Sequence, residues 1–294
     1  MPRIEHPSTV STSRTPSTLR STRTPSAPRT ARSPRTERTP AEGWHGWDAY
    51  ARFYDWENAQ TVRRRDVAFW RRLAAVAGGP VLELGCGTGR IALPVAKDGI
   101  ALTGVDRSEP MLDRARRRAA RAGLDRRLRL VRADIRHLPF RNRRFGLVMA
   151  AYGILQSLVR ERDLTAALAS VHRVLQRGGR FGIDLVPDLP AWAEYARKRT
   201  LSGTMGAGTR VSLVETVRQD RPRRLTIFDQ RYTAVRGRDR RVYDFTLTFR
   251  TLSVPAMTRR LERAGFVVDA VLGDYRGGPW DPRADAWVLL CRAR

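Results

Sequence analysis

The sequence is nearly devoid of lysine and has only two cysteines, Cys86 and Cys291. Two cysteines are too few for a disulfide framework or for a structural zinc site. No apolar run approaches the ~20 residues that cross a bilayer, and the N-terminus has no apolar core of the signal-peptide type. We therefore expect no metal centre and no membrane segment, and we take a cytoplasmic protein as the default.

The shortage of lysine qualifies the strong positive charge of the 294-residue chain. A formal net charge of +27 favours affinity for nucleic acid. However, all but two of the 56 basic residues are arginines, and a phosphate-binding surface has no reason to exclude lysine, which binds phosphate well. We interpret the bias as largely a coding preference. Non-specific binding of polyanions is expected, and nucleic acid is not the predicted substrate.

The first 43 residues are almost entirely Ser, Thr, Pro, Arg and Ala. Such a segment buries too little apolar surface to offset its ordering entropy. We interpret residues 1–43 as a disordered tail. The alternatives are a transit peptide, or a segment that is included because the start codon was assigned upstream of the true one. The tail lacks the apolar face of an amphipathic targeting helix, which favours plain disorder.

From Trp44 onward the chain has the pattern of alternating helices and strands. A helical pattern covers residues 46–77, and the later helices carry start and stop signals such as Ser108, Pro110 and Gly123. This alternation is typical of a parallel sheet with helices on both faces. The predicted strands are 81–84, 101–105, 128–131, 145–150 and 180–186, and the predicted helices are 90–97, 108–123 and 160–176.

After Pro187 the period of the pattern changes. Tyr243, Phe245, Leu247 and Phe249 alternate with polar residues, which indicates a strand with one apolar face. We expect an antiparallel meander over residues 211–217, 225–235 and 241–252. A helix near 255–264 and strands near 266–272 and 286–291 complete the prediction.

The turn that follows the first predicted strand carries the main chemical signal. In VLELGCGTGR, Gly85, Gly87 and Gly89 allow the backbone to turn sharply and to approach a ligand closely. Asp106 ends the second strand, where a carboxylate of a doubly wound sheet accepts both hydroxyls of a ribose. Dinucleotide folds use G-x-G-x-x-G, whereas the spacing here is G-x-G-x-G and Glu83 precedes it. An acid at this place repels a pyrophosphate and suits a ligand with ammonium and sulfonium groups.

Five segments resemble, in the right order, the motifs of class I S-adenosylmethionine-dependent methyltransferases. They are VLELGCGTGRIALPVAKDGIALTGVDRSEPMLDRAR, VRADIRHLPF, RFGLVMAAYGILQSL, ASVHRVLQRGGRFGIDL and LERAGFVVDAVLGDY, within about residues 48–294. The resemblance implies a doubly wound, mostly parallel α/β sheet of seven strands with the last strand antiparallel. It places the meander as a β insert after strand five. It also implies S-adenosylmethionine as the cofactor and methyl transfer as the reaction.

The resemblance divides the chain after the tail into one methyltransferase domain with four parts. Its parts are an N-terminal helical lid (44–79), a cofactor-binding core (80–187), a substrate-side insert (188–253), and a C-terminal helix with strands (254–294).

The same resemblance assigns eleven residues to the cofactor. Those near the methionine portion are Glu83, Gly85, Cys86, Gly87 and Gly89, with Glu83 beside the ammonium group. Asp106 would hold the ribose. Those around the adenine are Arg107, Met111, Asp134, Ile135 and Ala150.

The acceptor is less directly marked. Methyl transfer from a sulfonium needs mainly proximity and exclusion of water, so no strong catalytic signature is expected. The residues predicted to line an acceptor pocket are Tyr54, Tyr152, Gln156 and Asp184. Methyltransferases of nucleic-acid amino groups usually carry Asp/Asn-Pro-Pro-Tyr/Phe after strand four, where this chain has AAYG over residues 150–153. We therefore predict a small-molecule acceptor methylated at N or O. The alternatives are an RNA methyltransferase that uses the basic surface, and a non-catalytic cofactor-binding or interaction protein.

Overall fold

The computed structural model describes residues 46–61, 66–187, 192–206 and 208–294. The tail predicted over residues 1–43 lies outside these ranges and stays a prediction. The described helices are α1 (Trp47–Gln60), α2 (Val67–Ala75), α3 (Ala92–Lys97), α4 (Glu109–Arg121), α5 (Glu161–Val174) and α6 (Val254–Arg263). The described strands are β1 (Val81–Leu84), β2 (Leu102–Asp106), β3 (Leu128–Arg132), β4 (Phe145–Ala150), β5 (Leu175–Leu185), β6 (Tyr195–Met205), β7 (Thr209–Asp220), β8 (Leu225–Arg236), β9 (Asp239–Arg250), β10 (Phe266–Leu272) and β11 (Trp287–Ala293).

Seven strands form one sheet in the order β10-β11-β5-β4-β1-β2-β3. The five strands from β5 to β3 are parallel, and β11 runs antiparallel to both of its neighbours, β10 and β5. This is the predicted α/β fold with an antiparallel last strand. The order reverses beside β1, and in such sheets ligands bind at the carboxyl ends of the strands at this reversal.

Helices cover both faces of this sheet. Buried side chains of α5 and α6, among them Leu168 and Leu261, pack against one face. Buried side chains of α2, α3 and α4, among them Trp70 and Val95, pack against the other. Strands β1 and β4 are buried along their whole length because both faces are covered, which explains why their sequences are apolar apart from Glu83.

The second sheet is the predicted insert after β5, and it has one more strand than the sequence indicated. Its order is β6-β7-β8-β9, and all of its neighbouring strands are antiparallel. Strand β6 reads YARKRTLSGTM and is largely exposed, so it shows no apolar alternation. The unpredicted strand is therefore an edge strand that pairs through its backbone.

The end of α5 and the start of β5 differ from the prediction. The helix predicted over 160–176 ends at Val174, and β5 begins directly at Leu175, so that Gly178 and Gly179 lie within a strand. The register against β4 shifts here, from Phe145 facing Leu175 to Leu147 facing Arg180. Gly178 has φ of 69°, which only a glycine adopts easily, so the two glycines form a bulge and not a helix stop.

The N-terminal helical pattern is divided into α1 and α2, with residues 62–65 outside the described part. Helix α1 packs on the apolar face of the insert sheet, where Tyr50 and Phe53 contact Tyr232 and Phe245. Helix α4 starts as predicted, because Ser108 caps it by accepting a hydrogen bond from the Met111 N–H at 3.4 Å. Within the described residues, no helix combines the length and apolarity needed to cross a membrane.

Candidate active site

The glycine turn after β1 has the backbone shape that its sequence predicts. Gly85, Gly87 and Gly89 have φ of 60°, 52° and 81°, a left-handed region that side chains disfavour. A Cβ at Gly85 would lie 2.5 Å from Ile154 Cδ1, and a Cβ at Gly89 would lie 2.4 Å from Leu93 Cδ1. The turn therefore needs glycine both for its conformation and for its close contacts.

Asp106 is fixed at the carboxyl end of β2 by this turn. One carboxylate oxygen accepts a hydrogen bond from the Gly87 N–H at 2.8 Å, and the other accepts one from the Ser108 N–H at 2.9 Å. Burial raises the pKa of Asp106, and these backbone hydrogen bonds oppose that effect. Each carboxylate oxygen keeps lone-pair capacity for a second donor.

A cavity of about 880 Å³ opens beside the turn. Nine of the predicted site residues line it, and they come from separate segments of the chain. They are Tyr54, Gly85, Gly87, Asp106, Arg107, Met111, Asp134, Ile135 and Tyr152. The volume falls within the usual range for small-molecule sites, roughly 300–1,000 Å³.

Asp134 lies at one end of this cavity in a cluster of charges. Its carboxylate accepts hydrogen bonds from the Arg136 guanidinium, the shortest at 2.7 Å, and lies 3.4 Å from an Arg107 guanidinium nitrogen. Burial raises the pKa of Asp134, but the hydrogen bonds and charge of Arg136 outweigh it and lower the pKa overall. The carboxylate is therefore ionised at neutral pH and held in place.

Glu83 lies behind the glycine turn and does not line the cavity. Burial raises its pKa to about 8, with the positive charge of Arg90 acting in the opposite direction. One of its carboxylate oxygens, Oε2, is buried without a hydrogen-bond partner. The structure therefore places this predicted cofactor residue outside the cavity lining, and its contact with an ammonium group stays a prediction.

Three other predicted cofactor residues support the turn from outside the cavity. The Cys86 side chain packs against β2, since a Cβ at Gly104 would lie 2.8 Å from its sulfur. Gly89 makes room for Leu93, and Ala150 is buried at the end of β4, where the adjacent Ala151 lines the cavity instead.

Two predicted acceptor residues, Gln156 and Asp184, are buried outside the cavity lining. The Gln156 amide oxygen accepts from the Val186 N–H at 2.7 Å, which ties the short helical turn Ile154–Ser157 to the end of β5. Asp184 Oδ2 accepts from the Tyr275 hydroxyl at 2.8 Å and from the Tyr152 N–H at 3.2 Å. Both residues position the wall of the cavity, and burial raises the pKa of Asp184 to about 7.

Tyr152 itself belongs to the wall. It has φ of 53°, an unusual value for a residue with a side chain, and 36% of its surface is exposed. The Arg90 guanidinium lies 5.5 Å from its ring centroid. Arg90 is in turn held by a buried, bidentate pair with Asp66, at 2.5 and 2.8 Å. No local pattern predicts this pair, because Asp66 and Arg90 are far apart in the chain.

Several lining residues were not among the predicted site residues. They are Gly46, Trp47, Asp48, Ser108, Arg132, Ala133, Ala151, Gly153, Ile154, Ser157, Leu158 and Phe249. Phe249 lies on the apolar face that its alternation predicted, but only the fold brings that face to the glycine turn. The start of α1 was recognisable as helical, whereas its position over the cavity was not.

Helix α1 is connected to the glycine turn through Asp55. Its carboxylate accepts a hydrogen bond from the Thr88 hydroxyl at 2.6 Å, and Thr88 lies between Gly87 and Gly89. Arg114 and Arg118 of α4 each approach the same carboxylate to 3.3 Å. The helix that covers the cavity is thus anchored on the turn and on the helix beneath it.

These observations fit a cofactor with a ribose that lies close to the backbone of the turn. Asp106 offers acceptor capacity at the carboxyl end of β2, and the glycine turn allows close approach. Within the described part of the chain, no group of three or more His, Cys, Asp or Glu residues is placed to bind a metal ion. S-adenosylmethionine has the required ribose.

Comparison with known proteins agrees with this geometry. A family model described as a methyltransferase domain matches residues 81–179. The 27-O-demethylrifamycin SV methyltransferase of Amycolatopsis mediterranei is 32% identical over 197 residues, which cover 60% of this chain and 71% of that protein. The sterol 24-C-methyltransferase of Schizosaccharomyces pombe is 29% identical over 143 residues, 48% of this chain, and the match spans only 37% of that protein's length.

The fold is shared with a solved structure. The CcbJ methyltransferase of Streptomyces caelestis superposes with a TM-score of 0.63 at 24% identity, covering 79% of this chain and 94% of that one. The sheet order, the glycine turn, the acid at the end of β2 and these relatives lead to one assignment. The chain belongs to the class I S-adenosylmethionine-dependent methyltransferases.

Proposed function

We propose that the protein transfers the methyl group of S-adenosylmethionine to a nitrogen or oxygen atom of a small-molecule acceptor. The observation that carries the proposal is a single cavity of about 880 Å³. It reaches from the glycine turn and Asp106 to a second group of lining residues on α1, on the segment after β4 and on β9. One continuous space therefore has room for a nucleoside cofactor beside a small acceptor.

In this proposal the cofactor is held by the residues after β1, β2 and β3. Asp106 would accept hydrogen bonds from the ribose hydroxyls, the glycine turn would pass close to the methionine portion, and Asp134 and Ile135 would contact the adenine. When bound, S-adenosylmethionine supplies an electrophilic methyl group, whose bond to sulfur breaks as its bond to the acceptor forms, while the acceptor's proton leaves to solvent. The chain's own residues bind, align and exclude water, which are the main requirements of this chemistry.

Helix α1 has the position required to exclude water. Its residues Trp47, Asp48 and Tyr54 line the cavity, and Asp55 anchors the helix on Thr88 of the glycine turn. Desolvation raises the pKa of the partly buried Tyr54 hydroxyl to about 12. We therefore assign Tyr54 to packing and hydrogen bonding and not to proton removal at neutral pH.

The volume of the cavity, about 880 Å³, supports a small acceptor beside the cofactor. The relative from Amycolatopsis mediterranei is named for 27-O-demethylrifamycin SV, a small-molecule acceptor and not a nucleic acid, which supports the same class of acceptor. The residues after β4, AAYG, do not provide the Pro-Pro backbone expected for base amino groups.

The test is an incubation with S-adenosylmethionine carrying a deuterated methyl group and two acceptor sets, a metabolite library and a mixture of RNAs. We expect the label in one or a few small molecules, found by mass spectrometry, and none in RNA. Label in RNA, together with binding that weakens steeply as salt is raised, would instead support nucleic-acid methylation. Tight cofactor binding without label in either set would support a non-catalytic binding protein.

A further inference from the structure

The two ends of the cavity differ in their chemistry. The cofactor end is polar and is formed by the turns after β1, β2 and β3, with Asp106 and Asp134. The other end is formed by α1, the segment after β4 and β9. Its apolar lining consists of Trp47, Tyr54, Tyr152, Ile154, Leu158 and Phe249.

The charges that line the cavity are distributed unevenly. Both lining arginines, Arg107 and Arg132, belong to the cofactor end, where Arg107 faces Asp134 and Arg132 donates to the Arg107 carbonyl at 3.1 Å. Among the described lining residues from α1, the segment after β4 and β9, the only charged side chain is Asp48. Asp48 is exposed, and its negative charge adds to the burial that mainly raises the pKa of Asp106.

This distribution is unusual for a chain with a net charge of +27. An acceptor that carried a phosphate or carboxylate would be expected to meet an arginine at its end of the cavity, since arginine is abundant everywhere else. Instead such an acceptor would meet aromatic faces, whose π electrons repel an anion, and the carboxylate of Asp48. The same surroundings attract a cation.

The aromatic wall is held in place before any ligand binds. The left-handed backbone of Tyr152 is fixed by the hydrogen bond from its N–H to Asp184, and Asp184 is held by Tyr275. Trp47 and Tyr54 pack edge to face, with their ring centroids 6.3 Å apart. The positive charge of Arg90 beside Tyr152 is met by Asp66, so it does not turn this end into an anion site.

We propose, building on the methyltransferase function above, that the acceptor is an amine carried on an apolar body. Its apolar body lies against Trp47, Tyr54 and Tyr152, and its basic nitrogen is recognised by the carboxylate of Asp48. Methylation requires the neutral amine, and the proton that the nitrogen releases passes to solvent at the exposed Asp48.

The test uses three probes with the same ring and different charge: benzylammonium, benzyl alcohol and benzoate. Each is titrated by calorimetry into the 294-residue protein saturated with S-adenosylhomocysteine, whose own affinity is measured first. We expect benzylammonium to bind about five- to tenfold more tightly than benzyl alcohol, and benzoate to bind most weakly. Asp48→Asn is expected to remove most of the preference for the cation. Asp244→Asn, an exposed position paired with Arg231 outside the cavity, is expected to preserve it.

Tighter binding of benzoate than of benzylammonium overturns the amine proposal, and so does a preference for the cation that Asp48→Asn leaves intact. Absence of benzylammonium binding also overturns it. If the wild-type protein binds S-adenosylhomocysteine in these experiments, each of these results contradicts the amine proposal alone and the proposed function stands. If the wild-type protein does not bind S-adenosylhomocysteine, the proposed function itself is contradicted.

Discussion

The two sheets of the protein differ in how they are buried and in what they contribute to the site. The seven-stranded sheet is covered by helices on both faces, and the carboxyl ends of its parallel strands carry the glycine turn and Asp106. The insert sheet has one apolar face against α1, while the opposite face carries ion pairs such as Arg218 with Asp229 and Arg231 with Asp244. The first sheet provides the cofactor end of the cavity, and the insert adds Phe249 to the acceptor end.

The two ends of the cavity therefore differ in how far the sequence reveals their residues. The cofactor end is built from short turns within the chain, so its residues form a recognisable local motif. The acceptor end is assembled from α1, the segment after β4 and β9, which meet only in the folded protein. We therefore expect substitutions in the glycine turn of the first sheet to change cofactor affinity, and substitutions in the insert to leave cofactor affinity unchanged.

The largest effect is expected at the glycine turn. Gly85→Ala places a Cβ 2.5 Å from Ile154 at a φ of 60°, so it adds a steric conflict to backbone strain. We expect about 3 kcal/mol of lost unfolding free energy and a large loss of affinity for S-adenosylhomocysteine. The control is Gly123→Ala, which has a φ of 64° and nothing within 4 Å. It should cost about 1 kcal/mol with unchanged affinity, and equal effects of the two changes would refute this account.

The next effect concerns pH and the buried carboxyl of Asp184. Burial raises its pKa from 3.8 to about 7 in the folded protein. Between pH 3.8 and about 7, the Asp184 carboxyl is therefore protonated in the folded state and ionised in the unfolded state. The stability that this group contributes is fully present below pH 3.8 and is lost as pH rises through about 7. Asp184→Asn should flatten the decline in melting temperature across this range. Asp269→Asn, at an exposed ion pair, should preserve the wild-type slope, and identical profiles for all three proteins would contradict the assigned burial.

A smaller effect is expected between α1 and the insert. The Tyr232 hydroxyl donates to the buried carboxylate of Glu57, which also accepts from Tyr50 at 2.6 Å. Burial raises the pKa of Glu57. Tyr232→Phe should lower the unfolding free energy by about 1.5 kcal/mol in denaturant titrations without changing cofactor affinity. The matched control is Tyr243→Phe, which removes a hydroxyl that accepts a hydrogen bond from Arg52 at an exposed position. This change should lower the unfolding free energy by less than about 0.5 kcal/mol.

The smallest effect is expected at the anchor between α1 and the glycine turn. Asp55→Ala removes the acceptor for the Thr88 hydroxyl and the partner of Arg114 and Arg118. Because this carboxylate is partly exposed, we expect a loss of about 1 kcal/mol and a few-fold weaker affinity for S-adenosylhomocysteine. Asp98→Ala, which removes a surface partner of Arg71, serves as the control and should leave affinity unchanged. An unchanged affinity in Asp55→Ala would show that the anchor does not act on the turn.

The sequence was informative where short-range rules decide the structure. The Ser108 cap, the buried strands around VLELGCGTGR and the period-two pattern of β9 all have local causes, and each was predicted. The predicted helix end at Gly178 was wrong because a glycine with positive φ serves equally well in a β-bulge. Strand β6 was missed because its side chains are mostly exposed and polar.

At the acceptor end, local sequence predicted only some of the side chains that line the cavity. Tyr152 and Tyr54 were predicted and do line the cavity, whereas Gln156 and Asp184 lie behind it. Polar residues near the ends of strands either face a ligand or hold the backbone, and the distinction depends on partners such as Tyr275 and Val186. Those partners are distant in the chain, so local sequence does not reveal them.

The central claim is that the cavity beside the glycine turn binds S-adenosylmethionine through Asp106. Calorimetry with S-adenosylhomocysteine on the wild-type protein, Asp106→Ala and the surface control Asp269→Ala tests it most directly. We predict tight binding to the wild type and to the control, and a loss of at least about 100-fold for Asp106→Ala, since the variant lacks a charged acceptor worth about 3 kcal/mol. Equal weakening by both changes, or tighter binding of NAD than of S-adenosylhomocysteine, would contradict the account.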